Sequence, residues 1–542
     1  MTRGDLDNRA IAERLETLAA LLDLAGAGTY SVRAYRRAAE LVRATPAPVA
    51  DLVVSGRVRE LRGIGPAIEQ RLRELVETGR LAEIDELEDE VQPELVALAR
   101  LVGLAPQRLV DLGKALGVST AAELRDAAAA GRLRTVHGIG AATEARVRAA
   151  LDRPRPAPRR GLLLNRAWQL GDAVAEALGG TVAGDPRRYR DSSERLAVVV
   201  AAARPAAVLD RFATLPEIVA VLERSADRAL GVTVDGVPIE AIAAVPGRFG
   251  TELVCATGSD EFVASLGKLP DAPDEESLFR ALGRPYVPPE LREEPFEGAP
   301  PELLSPGDVR GDLHVHTTWS DGKFSVLEMG EAARALGYDY LAICDHTRNV
   351  RVVPGLDADD VRRQGEEIAA ANELLAPFRI LRGSECDILT DGSLDLPDDV
   401  LGELEWVQAS VHAGQRQSRE QLTERTLEAV RHPAVRSISH PQGRIINHRP
   451  PNAVDLEAVF AACAETGTAL ETNGLPDRID LSSKLVRDAV RAGVRITCST
   501  DAHSVGGLDN MRLSVATARR GRAGPADVLN TRPLAEILSP RL

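Results

Sequence analysis

The stretch "GDLHVHTTWSDG", residues 311–322, sets His314 and His316 one residue apart and follows them with Asp321. Alternate residues of a strand face the same way, so the two imidazoles project together. The whole 542-residue chain has only nine histidines, which makes the pairing informative. Working outward, "LAICDH", "WVQASVH", "SISH" and "ITCSTDAH" are apolar runs that also give out at polar residues. Such runs end at His316, His346, Glu385, His412, His440, Glu471 and Asp501, spaced 30, 39, 27, 28, 31 and 30 residues apart. One strand-plus-helix unit takes about 30 residues. Seven units predict a barrel of parallel strands over 308–542, with its chemistry at the C-terminal strand ends.

Six of the nine histidines (His314, His316, His346, His412, His440, His503) lie at these ends, with Asp321, Asp345, Glu385 and Asp501 among them. Imidazole and carboxylate donors without thiolate suit Zn²⁺, Mn²⁺ or Fe²⁺ better than Ca²⁺ or Mg²⁺. A single such histidine reads most simply as a hydrogen-bonded core residue. Six converging on one barrel mouth read as a metal centre. Cys344, Cys386 and Cys498 lie nearby, but strand alternation turns Cys344 and Cys386 away.

Length allows three or four domains. The N-terminus lacks an apolar signal core, and no run of about 18 apolar residues predicts a membrane span. Five scattered cysteines without a CxxC pair fit a reducing cytoplasm. Net charge is −15, which disfavours a general polyanion binder. Residues 1–160, however, carry about 25 basic against about 23 acidic residues, so a polyanion would be handled locally. Residues 1–155 read as helices throughout, 152–161 as a Pro/Arg linker and 160–285 as an α+β module. The Pro- and acid-rich segment 286–307 reads as an extended linker.

Within the helical region, "LRGIGPAIEQRL" (61–72) and "VHGIGAATEARV" (136–147) place Gly-Ile-Gly directly before a helix. Glycines permit a sharp turn and close backbone approach, and the helix N-terminus offers free N–H groups to a phosphate. The alternative is a tight turn between packed helices. "VGLAPQRLVDL" (102–112) is a weaker third copy.

"DLHVHTTWSDG", "CDH", "GSECDI", "SVH", "SHPQGR" and "STDAHS" resemble the PHP (polymerase and histidinol phosphatase) phosphoesterase family. The residues before them resemble bacterial family-X DNA polymerases that carry a C-terminal PHP domain. The resemblance implies an all-α helix-hairpin-helix N-terminal region (1–80, then fingers-like 81–155), an α+β nucleotidyltransferase-like palm and a distorted (β/α)7 barrel. It implies three divalent ions and 3′–5′ exonuclease or related activity on DNA. One ion takes His314, His316, Glu385 and Asp501; a second takes Glu385, His412 and His440; the third takes Asp321, His346 and His503. Glu385, His316 and Asp501 are the expected catalytic centre, and Arg444 is a candidate for gripping phosphate. Gly63, Gly65, Gly138 and Gly140 match the helix-hairpin-helix motif, which grips gapped or 3′-ended DNA without reading sequence. "TYSVRAYRRAAELV" is similar to the small N-terminal domain of the polymerases, where Arg33, Arg36 and Arg37 would meet a 5′-phosphate. Clustered metals would explain phosphodiester cleavage: they neutralise phosphate oxygens and lower the pKa of bound water towards about 7.

The palm departs from the polymerase pattern. In "AGDPRRYRDSSERLAVVV" (183–200), aligned on Gly184 and Arg187-Arg188, the two aspartate slots fall on Arg195 and Ala197. Asp185 stands where the family has a triphosphate-binding Ser, and only the third carboxylate has a replacement, Glu240. The expectation is a DNA-binding phosphoesterase with an inactive polymerase-like module. The alternatives are a small-phosphomonoester phosphatase, a non-enzymatic DNA-end adaptor and a residual polymerase.

Overall fold

The computed structural model describes residues 8–24, 29–45, 49–61, 63–84, 87, 93–152, 161–233, 235–350 and 353–539. The chain divides into two compact units: 1–161, 170–182 and 194–249 form one, and 162–169, 183–193 and 250–542 form the other. Most of the Pro/Arg linker lies outside the described residues.

The first unit begins with helices, as the three- and four-residue apolar spacing predicts. Leu15, Leu18, Leu72 and Leu75 are fully buried in one cluster. Leu98, Leu109, Leu124 and Val147 are buried in a second. A sheet follows, with strands in the order Leu196–Ala201, Pro238–Ala244, Arg228–Thr233 and Ile218–Arg224.

The second unit is built on seven parallel strands: β1 Gly311–Val315, β2 Tyr340–Ile343, β3 Arg379–Asp387, β4 Trp406–Ser410, β5 Val435–Ile438, β6 Ala469–Asn473 and β7 Ile496–Ser499. They lie side by side in sequence order. The sheet closes on itself where the His316 N–H donates to Ala502 O at 2.9 Å and the Asp501 N–H donates to His314 O at 3.0 Å. Connecting helices start on polar caps: Ser325 with Glu328, Asp357 with Asp360 and Ser418 with Gln421 each form a reciprocal capping box. The 39-residue spacing after His346 is the extra length of the loop and the 18-residue helix Ala358–Leu375. β1, β4 and β6 are buried along their whole length, which suits parallel strands covered on both faces.

Two expectations need correction. The expected 160–285 module is divided, because 162–169, 183–193 and 250–285 belong with the barrel. Ion pairs hold them there: Arg187 to Glu275 at 2.6 Å, Arg188 to Glu293 at 2.9 Å and Arg444 to Asp191 at 2.6 Å. The segment 286–307 is not a free linker either. It buries Val287, Leu291 and Leu304, and Arg292 is wholly inaccessible. Inside, Arg292 donates to Val287 O at 2.8 Å and to Glu275 Oε1 at 2.6 Å. A Pro-rich composition marks irregular backbone, but periodic apolar side chains anchor it.

Glu275 is the carboxylate that keeps the buried Arg292 charge compensated. Burial alone would raise its pKa, but the hydrogen bond from Arg187 and the charge of Arg292 lower it from 4.5 to about 2. A depressed carboxylate stabilises the fold above its unfolded pKa and loses that effect as pH falls through the folded one. At neutral pH Glu275→Gln should therefore cost about 3 kcal/mol, at about 1.36 kcal/mol per pKa unit. Urea unfolding should show the gap between wild type and variant narrowing as pH drops from 4.5 towards 2. A gap independent of pH would refute this assignment.

Candidate metal centre and DNA-binding hairpins

Each strand end delivers a side chain to one buried cluster. β1 ends in His314 and then His316, both fully buried. The following turn folds back tightly: the Gly322 N–H donates to Thr317 O at 2.9 Å. A Cβ on Gly322 would sit 2.7 Å from the His316 carbonyl carbon, so the turn requires glycine there. That return brings Asp321 Oδ1 to 3.9 Å from His316 Nδ1 and Oδ2 to 3.2 Å from His503 Nε2. His440 and Asp501 have positive φ (28° and 54°). Non-glycine residues there cost of order 1–3 kcal/mol each, a strain commonly stored at functional sites.

Glu385, 1% exposed at the end of β3, is the hub. Its Oε2 lies 3.5 Å from His314 Nε2, 3.7 Å from His316 Nε2 and 2.9 Å from His346 Nδ1. Its Oε1 lies 3.5 Å from His412 Nε2 and 2.9 Å from His440 Nε2, and accepts from Ser439 Oγ at 2.7 Å. Asp501 Oδ1 is 3.0 Å from His316 Nε2, which is 3.1 Å from His314 Nε2. Tetrahedral bonds of about 2.0–2.1 Å set neighbouring ligand atoms about 3.4 Å apart. The donor separations fit that.

The donor chemistry fits as well. His316 Nδ1 is buried and makes no hydrogen bond, a costly state for a polar atom that faces no cation. Burial and the charges of His503 and His346 lower His316 to about 3, leaving a neutral imidazole. Burial opposes ionisation of Glu385, yet His412, His314 and His346 hold it well below the usual carboxylate range. Asp501 is likewise held low against burial by His314 and His316. Burial disfavours the charged form of His503, but the hydrogen bond to Asp321 and the charge of Asp501 raise it to about 9. Divalent ions bound among these donors would polarise a phosphoester and activate water.

All nine expected ligands meet in one place, and ligand atoms within 4.8 Å of one another fall into three groups. They are His316, Asp321, His346 and His503; His314, His316 and Asp501; and His346, Glu385 and His412. His316 and His346 are therefore shared, and His440 joins through Glu385 alone.

Arg444 differs from expectation. Its guanidinium donates to Asp191 Oδ2 at 2.6 Å and to the carbonyls of Arg478 and Ile479, so it is already engaged as a brace. Arg478, which sequence reading passed over, stands with Nε 3.7 Å from Asp501 Oδ2. Asp345 is also consumed by structure, accepting from Thr317, Ser320 and Gln364. Burial pushes the thiols of Cys386 and Cys498 up to about 12, in keeping with a thiol-free donor set.

Glu471 was visible as a strand end but given no role. Its Oε1 meets His314 Nδ1 at 2.7 Å and accepts from Gln408 Nε2 at 2.8 Å; Oε2 accepts the His440 N–H at 2.7 Å. A carboxylate behind a ligating imidazole fixes its orientation. Its position in the repeating strand-end pattern was the available signal. Glu471→Ala should weaken metal retention about 10–100-fold, measured by elemental analysis after dialysis against graded chelator. Unchanged retention would remove Glu471 from this role.

In the first unit the glycine turns form as expected. Gly63 (φ +114°) and Gly138 (φ +78°) are left-handed. Gly65 caps the helix Pro66–Thr78, and Gly140 precedes Ala141–Asp152. A Cβ on Gly65 or Gly140 would meet nothing within 4 Å. Both helix starts are therefore open to an incoming group. Arg33, Arg36 and Arg37 are exposed on the helix Thr29–Ala44.

A parallel seven-stranded barrel with a histidine–carboxylate cluster at its C-terminal mouth defines a PHP-type phosphoesterase unit. A helix-hairpin-helix domain model matches residues 6–81. The chain is 31% identical over 566 residues to the DNA polymerase/3′-5′ exonuclease PolX of Bacillus subtilis (strain 168), covering 98% of this chain and 99% of that protein. It belongs to the PolX family, the bacterial family-X DNA polymerases with a PHP domain. A probable phosphatase of Acetivibrio thermocellus is 30% identical over 201 residues, 35% of this chain and 78% of that protein. One of Syntrophotalea carbinolica is 28% identical over 232 residues, 40% and 90% respectively. Among the described residues no helix is long and apolar enough to cross a membrane.

Proposed function

We propose that this chain is a DNA-binding, metal-dependent phosphoester hydrolase that removes nucleotides from DNA 3′ ends. The observation that carries this reading is the Glu385 hub, where five imidazoles surround one buried carboxylate. The nine residues His314, His316, Asp321, His346, Glu385, His412, His440, Asp501 and His503 hold three divalent ions, Mn²⁺ or Zn²⁺ or Fe²⁺. The helix-hairpin-helix turns at Gly63, Gly65, Gly138 and Gly140 hold the DNA backbone, with Arg36 and Arg37 as further contacts. His316→Ala or Glu385→Ala should abolish cleavage of 3′-ended oligonucleotides while circular dichroism stays unchanged. Survival of both 5′- and 3′-labelled DNA with the wild-type chain across a metal series would sink the reading.

DNA grip has its own test. Because a side chain at Gly65 or Gly140 enters open space without a positive φ, Gly65→Phe/Gly140→Phe blocks approach without straining the fold. DNA affinity should fall about tenfold, and the salt slope should shrink as phosphate contacts are lost. Equal affinity at several salt concentrations would dismiss the hairpins.

The polymerase-like module does not polymerise. Ala197 sits in register with Glu240 on neighbouring parallel strands, and Glu240 is paired with Arg228 at 3.0 Å. Asp185 is paired with Arg188 at 2.5 Å. One neutralised acid cannot chelate two Mg²⁺ ions. Primer extension on gapped DNA, in a Glu385→Ala background, should show no nucleotide addition; template-dependent extension would overturn this.

A further inference from the structure

The second unit contains a second polar cavity, of about 690 Å³, outside the metal-ligand cluster. Arg190, Arg444, Arg449, Lys484 and Arg520 line it against one carboxylate, Asp191. Arg190 is paired with Asp185 and Glu293 at 3.6 Å, yet in a chain of net charge −15 the remaining surplus of cations makes the lining locally positive. Two of the cations have no ion-pair partner among the described residues, although Arg449 also feels the charge of Asp480. Lys484 is exposed. Neither it nor the Arg449 guanidinium forms an ion pair among the described residues, and Arg449 Nε is occupied only by Gly443 O at 2.9 Å. Asp191 is already saturated by Arg444 at 2.6 Å and Arg520 at 3.0 Å. The nine-residue helix Ser483–Arg491 opens into the same wall, and its N-cap Ser482 makes no side-chain cap. Its first N–H groups thus add to the positive lining.

The cavity is tied to the metal-ligand cluster by a short stretch of chain. Arg444 lies four residues beyond His440, so their Cα atoms are at most ~14 Å apart. Arg444 also donates to the carbonyl of Arg478, whose Nε is 3.7 Å from Asp501 Oδ2. An anion here would sit within a few nucleotides of a phosphate held at the cluster.

We infer that this cavity is a strand-binding subsite that takes backbone phosphates of the DNA strand being degraded, with Arg449 and Lys484 as its free phosphate contacts. The inference rests on the nuclease reading above and assigns that site its hold on polymeric substrate. It requires that the two cations act on strand length and not on bond cleavage. A single bound phosphate monoester would gain little from it, because one phosphate cannot occupy cluster and cavity together.

The test compares full-length wild type, Lys484→Glu and Arg449→Glu/Lys484→Glu on two substrates. For a single-stranded hexanucleotide the double variant should raise KM about tenfold with kcat nearly unchanged. For bis(p-nitrophenyl) phosphate, too short to reach the cavity, all three proteins should match within about twofold. Equal kinetics on the hexanucleotide, or equal loss on both substrates, would overturn the inference. Fluorescence anisotropy of a labelled hexanucleotide in excess chelator supplies a readout independent of turnover. If the wild type cleaves neither substrate, the nuclease reading fails. If it cleaves both but the variants bind the hexanucleotide as tightly as wild type, the strand subsite fails alone.

Discussion

The structure of the second unit turns on the burial of Glu385 among imidazoles. An ionised carboxylate taken out of water is expensive unless opposite charge or hydrogen bonds surround it. Here β1, the chain ends after β2, β4 and β5, and the loop after β7 each bring one or more partners to within about 4 Å of that carboxylate or of its neighbours. The closure of β1 onto the chain after β7 is what makes the convergence possible. Without the hydrogen bonds from His316 to Ala502 and from Asp501 to His314, the first and last strands would hold their ligands apart.

Around that hub the protein spends buried polar groups on orientation. Glu471 fixes His314, Ser439 holds Glu385, and Asn473 donates to Asp501 Oδ2 at 2.9 Å. Such support lets a cluster keep its geometry through substrate entry and product release. Positive φ at His440 and Asp501 belongs to the same economy, since the barrel's packing over-determines two backbone positions that would relax in isolation.

The segment 183–193 is fastened within the barrel unit by ion pairs. Arg187, Arg188 and Asp191 lie on the stretch that in the family resemblance leads to the nucleotide-binding carboxylates. In this chain they pair with Glu275, Glu293, Arg444 and Arg520. These pairs fasten 183–193 to the rest of the barrel unit.

Much of this was legible in the sequence because its signals are periodic. Thirty-residue spacing predicted the barrel and placed six histidines at its strand ends, since a strand end is a local property and strand alternation fixes which face a residue takes; the set of nine ligands came from the family resemblance. Gly-Ile-Gly before a helix gave the hairpins for the same reason: φ > 0 at Gly63 and Gly138 is a local demand. What the sequence left undecided depends on contacts between residues far apart in the chain. Arg444 reads as a free cation until Asp191, 253 residues away, takes it. The Pro-rich segment reads as a linker until Glu275 receives Arg292. His316 and His346 each stand close enough to two sets of donors to join either, which only the folded chain shows. Local periodicity decided which residues reach the barrel mouth; three-dimensional packing decided which of them gather about Glu385 and which are consumed holding the others in place.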